Sequence, residues 1–127
     1  MKKTIVLLLI VTVMTFAVLS FVGCGLFNKT GFDDAKSNLE KAGYTVTVLT
    51  GEEYVELPDA LPSVSSSTLE RYAHAVKGDD EIHIFLFTSV DTASNESEFM
   101  NMDNLLQGQN NEIVYFATKQ ARKDSKL

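Results

Sequence analysis

The stretch Leu69-Glu-Arg-Tyr-Ala-His-Ala-Val-Lys77-Gly-Asp-Asp80-Glu-Ile-His-Ile-Phe-Leu-Phe87 decides how this chain folds. Two runs, Leu69 to Val76 and Glu81 to Phe87, flank Lys77-Gly-Asp-Asp80. Gly-Asp between such runs reads as a hairpin turn, because glycine accepts the left-handed backbone that a tight connection demands. With Gly78 and Asp79 as a two-residue turn, Lys77 faces Asp80, Val76 faces Glu81, His74 faces His83 and Tyr72 faces Phe85. Side chains alternate along a strand, so Tyr72, Phe85 and Phe87 share the face of the histidines, while Leu69, Ala73, Ala75, Ile82, Ile84 and Leu86 occupy the other. A hairpin apolar on both faces has two readings. Other elements cover both sides, or an aromatic strip is left open for a ligand or partner protein.

Upstream, Thr30-Gly-Phe-Asp33 reads as a helix start, with Thr30 as the cap and Asp33 favoured by the positive helix terminus. Phe32, Ala35, Leu39 and Ala42 follow at helical spacing, and Gly43 supplies a left-handed stop. Tyr44 to Thr50 alternates and is β-branched, which predicts a strand. Gly51 to Leu57 has room for a helical turn, and Pro58 to Thr68, rich in Pro and Ser, predicts an irregular loop. Downstream, Thr88-Ser-Val-Asp91 predicts a second helix start. Its weak stripe Val90, Ala93, Ser97, Met100 runs toward Gln107-Gly108. Glu112 to Ala117 predicts a strand, and Thr118 opens a polar terminal helix. The expectation is an α+β fold: a four-stranded, mainly antiparallel sheet with helices mostly on one face, as a two-layer sandwich. Its expected core is Phe32, Leu39, Val46, Val48, Ile82, Ile84, Leu86, Ile113 and Tyr115.

The N-terminus addresses location. Met1, Lys2 and Lys3 precede an uncharged run from Thr4 to Val22 that closes on Phe21-Val22-Gly23-Cys24, the last being the single cysteine. Lysines ahead of an apolar run keep the start of the chain on the cytoplasmic side. The segment resembles a bacterial lipoprotein signal peptide, in which the cysteine thiol is alkylated by diacylglycerol and the chain is cut just before it. Val22, Gly23 and Cys24 match that pattern, and Phe21 stands where leucine is usual. The resemblance implies a signal peptide over 1–23 with cleavage between Gly23 and Cys24, a lipidated cysteine and spacer over 24–29, and one domain over 30–127. It implies a lipid-anchored protein on the extracytoplasmic face of the cell membrane. The other reading is an uncleaved helical anchor, since about 17–25 apolar residues can cross a bilayer.

Cleavage there removes 23 of the 127 residues and leaves 104, enough for one compact domain. The formal charge moves from −6 to −8 as Lys2 and Lys3 are lost, because every Asp and Glu lies downstream. So acidic a domain repels phosphate backbones, which argues against nucleic acid as a partner. A single cysteine gives no intramolecular disulfide and no cysteine zinc site. A second resemblance rests on Phe32-x-x-Ala-Lys-x-x-Leu-x-x-x-Gly-Tyr44, on Ser89-Val-Asp-Thr-Ala93 and on Val114-Tyr-Phe-Ala-Thr-Lys-Gln-Ala-Arg-Lys-Asp124. These are similar to small bacterial lipoproteins of unknown function, and the likeness implies a fold without an activity.

For chemistry, the chain has no phosphate-binding glycine loop, Cys-x-x-Cys, nucleophile elbow or His-Glu-x-x-His. The Ser63 to Ser67 loop has no base beside it in sequence. These features point to a non-enzymatic binding or accessory domain with no cofactor, a divalent metal aside, acting on a protein or small ligand. The alternative is a small envelope hydrolase, or a weak metal-binding protein, using the hairpin face. The two histidines, brought ~4.5–5.5 Å apart at Cβ by the hairpin, could reach one divalent metal with Glu81 or Glu70 as third ligand. The plainer reading is an exposed pair of imidazoles stacked beside Tyr72 and Phe85.

Overall fold

The hairpin forms in the expected register. Strands β2 (Leu69–Lys77) and β3 (Asp80–Phe87) pair antiparallel, with Lys77 opposite Asp80, His74 opposite His83 and Tyr72 opposite Phe85. Gly78 takes a φ of 60°, the left-handed conformation the two-residue turn needs. This computed structural model describes residues 30–58 and 62–127. The signal segment with Gly23, Cys24 and the spacer to residue 29 lies outside the described residues, as does part of the Pro/Ser loop.

Helix α1 (Phe32–Lys41) precedes strand β1 (Thr45–Thr50), which leads straight into helix α2 (Gly51–Val55). After the hairpin come helix α3 (Val90–Ser97), strand β4 (Leu106–Asn110), strand β5 (Ile113–Ala117) and helix α4 (Lys119–Ser125). The five strands form one open antiparallel sheet in the order β1-β2-β3-β5-β4.

Several expectations need correction. The sheet has five strands, not four, because α3 stops at Ser97 and the chain re-enters the sheet at Leu106. Of the expected stripe, Ala93 and Met100 are buried and Ser97 half-buried, while Val90 at the start of the helix is 47% exposed. Leu106-Gln-Gly-Gln-Asn110 lacks both apolar alternation and β-branching, so nothing in its composition announces a strand. It is held by pairing with β5, and a Cβ on Gly108 would stand 2.2 Å from the ring of Tyr115 opposite it. The N-cap of α1 is Gly31 rather than Thr30, and the carboxylate of Asp34 accepts the Gly31 N–H at 3.2 Å.

The helices are not mostly on one face. On one side α1 and α4 place Phe32, Ala35, Leu39 and Ala121 against Ala73, Ala75, Ile82, Ile84, Leu86, Ile113, Tyr115 and Ala117. On the other, α2 and α3 place Tyr54 and Ala93 over Tyr72, Phe85, Phe87, Val114 and Phe116. The central strands are therefore sandwiched, as a hairpin apolar on both faces demands. Val46 and Val48 are only partly buried, since β1 is an edge strand. The other seven expected core residues are buried.

Leu69 also changes sides. It pairs with Phe87, but Arg71 pairs with Leu86, so an extra residue bulges from β2 between them. The bulge reverses the alternation and turns Leu69 toward Tyr54 and Phe87. The C-terminus of α1 closes as read: Gly43 has a φ of 96°, its N–H reaches Glu40 O, and Tyr44 N–H reaches Leu39 O. The Tyr44 hydroxyl then donates to Asp124 at 2.8 Å, and Asn38 Nδ2 to Ser125 O at 3.0 Å, fastening α4 to α1.

Candidate functional site

The cover of α2 and α3 over the aromatic face thins toward the turn, where Val76 is 38% exposed, and the histidines sit at that margin. Tyr54 lies over Tyr72 with ring centroids 4.6 Å apart and meets Phe85 edge-on at 5.4 Å. Phe85 meets Phe116 edge-on at 6.1 Å. One step closer to the turn, the imidazoles of His74 and His83 stack at 4.2 Å with planes only 15° apart. Thr47 of β1 stands opposite His74, and Phe116 of β5 stands opposite His83. This row of cross-strand neighbours fixes the two rings side by side.

Glu81 completes the group. Its side chain is on the same face as His83, two residues along β3, and one oxygen, Oε2, lies 3.2 Å from His74 Nε2 and 3.1 Å from His83 Nε2. Among the described residues these three offer ligand atoms that all fall within 4.8 Å of one another. Burial is graded: the side chain of His83 is 13% exposed, that of His74 35% and that of Glu81 41%. The site therefore has a dry floor and a wet mouth.

Tyr72 supplies a fourth contact, its hydroxyl 2.7 Å from His83 Nδ1. One arrangement of protons satisfies every contact when both imidazoles are neutral. The Tyr72 O–H donates to Nδ1 of His83, and the Nε2–H of each ring donates to Glu81. Burial, followed by the proximity of Tyr54 and Glu81, pushes the Tyr72 hydroxyl well above its ordinary range, so it keeps its proton. Burial and then His74 depress the imidazole of His83, against the opposing pull of Glu81. Burial pushes the carboxyl of Glu81 up, but hydrogen bonds and charge from the two histidines outweigh it and hold the group below its ordinary value.

The structure thus brings His74, His83 and Glu81 together and leaves Glu70 out. Glu70 is exposed at the bulged end of β2, away from the turn. In the Ser63 to Ser67 loop, the hydroxyls of Ser65 and Ser67 bond each other at 2.8 Å. That loop joins β2 at Leu69, where Leu69 N–H bonds Ser65 O, while His74 lies five residues further along the strand, roughly 17 Å away. Among the described residues no histidine hydrogen-bonds a serine of that loop. Gly23 and Cys24 lie outside the described residues.

Sequence reasoning missed the part played by Tyr72. The signal for it was present: Tyr72 shares a face with His74 and stands diagonally across from His83, within reach of a long side chain. Set against family models, curated proteins and solved structures, the chain matches none.

Proposed function

We propose that this chain is an extracytoplasmic lipoprotein whose small α+β domain works by binding rather than by turnover. It is cut before Cys24, tethered by diacylglycerol on that cysteine at the outer face of the cell membrane, and takes a small ligand or a partner protein, not nucleic acid. The observation that carries the tether is Met1-Lys2-Lys3, the uncharged run to Val22 and the close on Gly23-Cys24. Two acyl chains make such an anchor stable where one would bind only marginally. The binding reading is supported by the cluster of His74, Glu81 and His83 at the turn end of the central hairpin, whose nitrogen and oxygen atoms converge at a partly open point of the sheet.

Metabolic labelling with fatty acid tests the tether. The parent chain takes up label and Cys24→Ala takes up none, because a methyl group cannot form the thioether. Label persisting in Cys24→Ala refutes lipidation. The length of the Thr4 to Val22 run favours one second reading, an uncleaved anchor helix. The mass of the membrane-extracted protein separates the two, since only the lipoprotein has lost its first 23 residues. Turnover of a defined substrate by the purified protein, abolished by a single substitution, would overturn the binding reading.

A further inference from the structure

We propose that His74, His83 and Glu81 bind a divalent late transition metal ion of the zinc and copper class, with Tyr72 as the positioning residue for His83. This names a ligand for the cluster described above and rests on the reading of that cluster as the place of binding.

The spacing carries the argument. Zinc bonds of about 2.0–2.1 Å to imidazole nitrogen and carboxylate oxygen set the edges of a tetrahedral site at roughly 3.3 Å. Glu81 Oε2 already stands 3.2 Å from Nε2 of His74 and 3.1 Å from Nε2 of His83, so two of the three ligand–ligand edges have nearly that length. The third is within reach, because the rings stack at 4.2 Å with planes nearly parallel and both present Nε2 to the same oxygen. An ion at the mouth of the site meets three protein ligands on one side and water on the other. That is the open, three-ligand form of a zinc site.

The donor set chooses the metal. Two imidazoles and one carboxylate suit zinc, copper or nickel, and are a poor match for calcium or magnesium, which seek oxygen alone. Charge agrees as well, since a carboxylate partly withdrawn from water on an apolar floor gains from a nearby cation.

Tyr72 has the place that carboxylates and carbonyls hold around metal-bound histidines. Binding at Nε2 requires the His83 proton to sit on Nδ1, and the Tyr72 oxygen, 2.7 Å away, is there to accept it. The proton on each ring moves from Nε2 to Nδ1 as the metal arrives, so the exchange needs no net release of protons from neutral imidazoles. The register makes the geometry robust. His74 and His83 are direct cross-strand partners, and Thr47 and Phe116 hold them from the flanking strands.

The test is zinc titration calorimetry on the full chain in mild detergent at pH 7.5, purified without a histidine tag. The expected result is one zinc per chain, with no heat from magnesium. His74→Ala and Glu81→Gln each weaken zinc binding by at least tenfold, and His83→Ala does the same. Tyr72→Phe weakens it by about tenfold at unchanged stoichiometry, the range seen when a partner of a metal-bound histidine is removed. A role for Tyr72 in packing alone would leave zinc affinity unmoved, because phenylalanine keeps the ring.

His83 is largely buried, and His83→Ala could lose the fold. The decisive variants are therefore His74→Ala and Glu81→Gln, whose side chains are more exposed. Absence of zinc heat from the folded parent chain overturns the proposal, as does full affinity in His74→Ala. Cys24→Ala separates this from the tether. It keeps the parent zinc affinity if the metal reading holds, whether or not it has lost its lipid.

Discussion

Replacing Gly51 with alanine separates two physical expectations of opposite sign. Gly51 is the first residue of α2, and alanine in place of glycine within a helix stabilises by up to about 1 kcal/mol on propensity alone. The packing says otherwise. A Cβ at residue 51 would stand 1.9 Å from the carbonyl oxygen of Leu69 and 2.8 Å from its carbon. Ordinary contact begins near 3.4 Å, so α2 or the start of β2 must retreat by roughly 1.5 Å. Both are backbone, and Leu69 sits at the bulge whose register orients it toward Tyr54. Overpacking of this kind costs about 1–3 kcal/mol and occasionally more. With backbone against backbone the upper end applies, which leaves a net loss of about 2 kcal/mol after the propensity gain. Urea denaturation followed by far-UV circular dichroism measures it, with an unchanged slope showing that the midpoint alone has moved. Glu52→Ala, one residue along and exposed, serves as the reference and stays within about 0.5 kcal/mol. A Gly51→Ala chain as stable as the parent would refute the close approach of α2 to β2.

Ile84 and Leu39 are fully buried on the face covered by α1 and α4, so Ile84→Ala and Leu39→Ala should each lose about 2–5 kcal/mol. Unchanged thermal midpoints for both would mean that this core has been misread. Acidity gives a second check, made with chelator present. The His83 imidazole is depressed in the fold, so the unfolded chain takes up its proton first, and stability present above about pH 6.5 is lost as pH falls from there. Glu81, also held low, adds a loss of the same sign as pH drops below about 4.5. Urea midpoints should therefore decline from pH 7.5 to 5, and His83→Gln should flatten the first part of that decline. A parent curve already flat over that interval refutes it.

Local signals made much of this fold legible. The Gly78-Asp79 turn set the register that brought His74 opposite His83, and Gly43 marked the end of α1 through the left-handed backbone it supplies. What failed to read depends on distant partners. Strand β4 has no pattern of its own and exists because β5 offers it hydrogen bonds and Tyr115 lies over Gly108. The bulge beside Leu69 is a tertiary fit to α2, and nothing in Leu69-Glu-Arg71 announces it. Of the site, the two histidines followed from the hairpin register, but alternation left Glu81 and Glu70 both eligible, and the contacts at the turn end select Glu81. The Tyr72 contact depends on a side-chain rotation that spacing does not specify.

One consequence of the two-residue turn concerns the order in which structure forms. His74, Glu81 and His83 belong to one hairpin and come together once a short segment has folded back on itself. A hairpin of this kind closes in about 1–10 μs, whereas β1 and β5 must be brought in across longer loops, whose closure entropy slows their arrival. The three side chains of the proposed site are local to that hairpin, so no long loop has to close to bring them near one another. If the proposed metal binding holds, a chain with only the hairpin formed would also take the ion, and the ion's effect on apparent stability would fall short of what its native affinity alone would give.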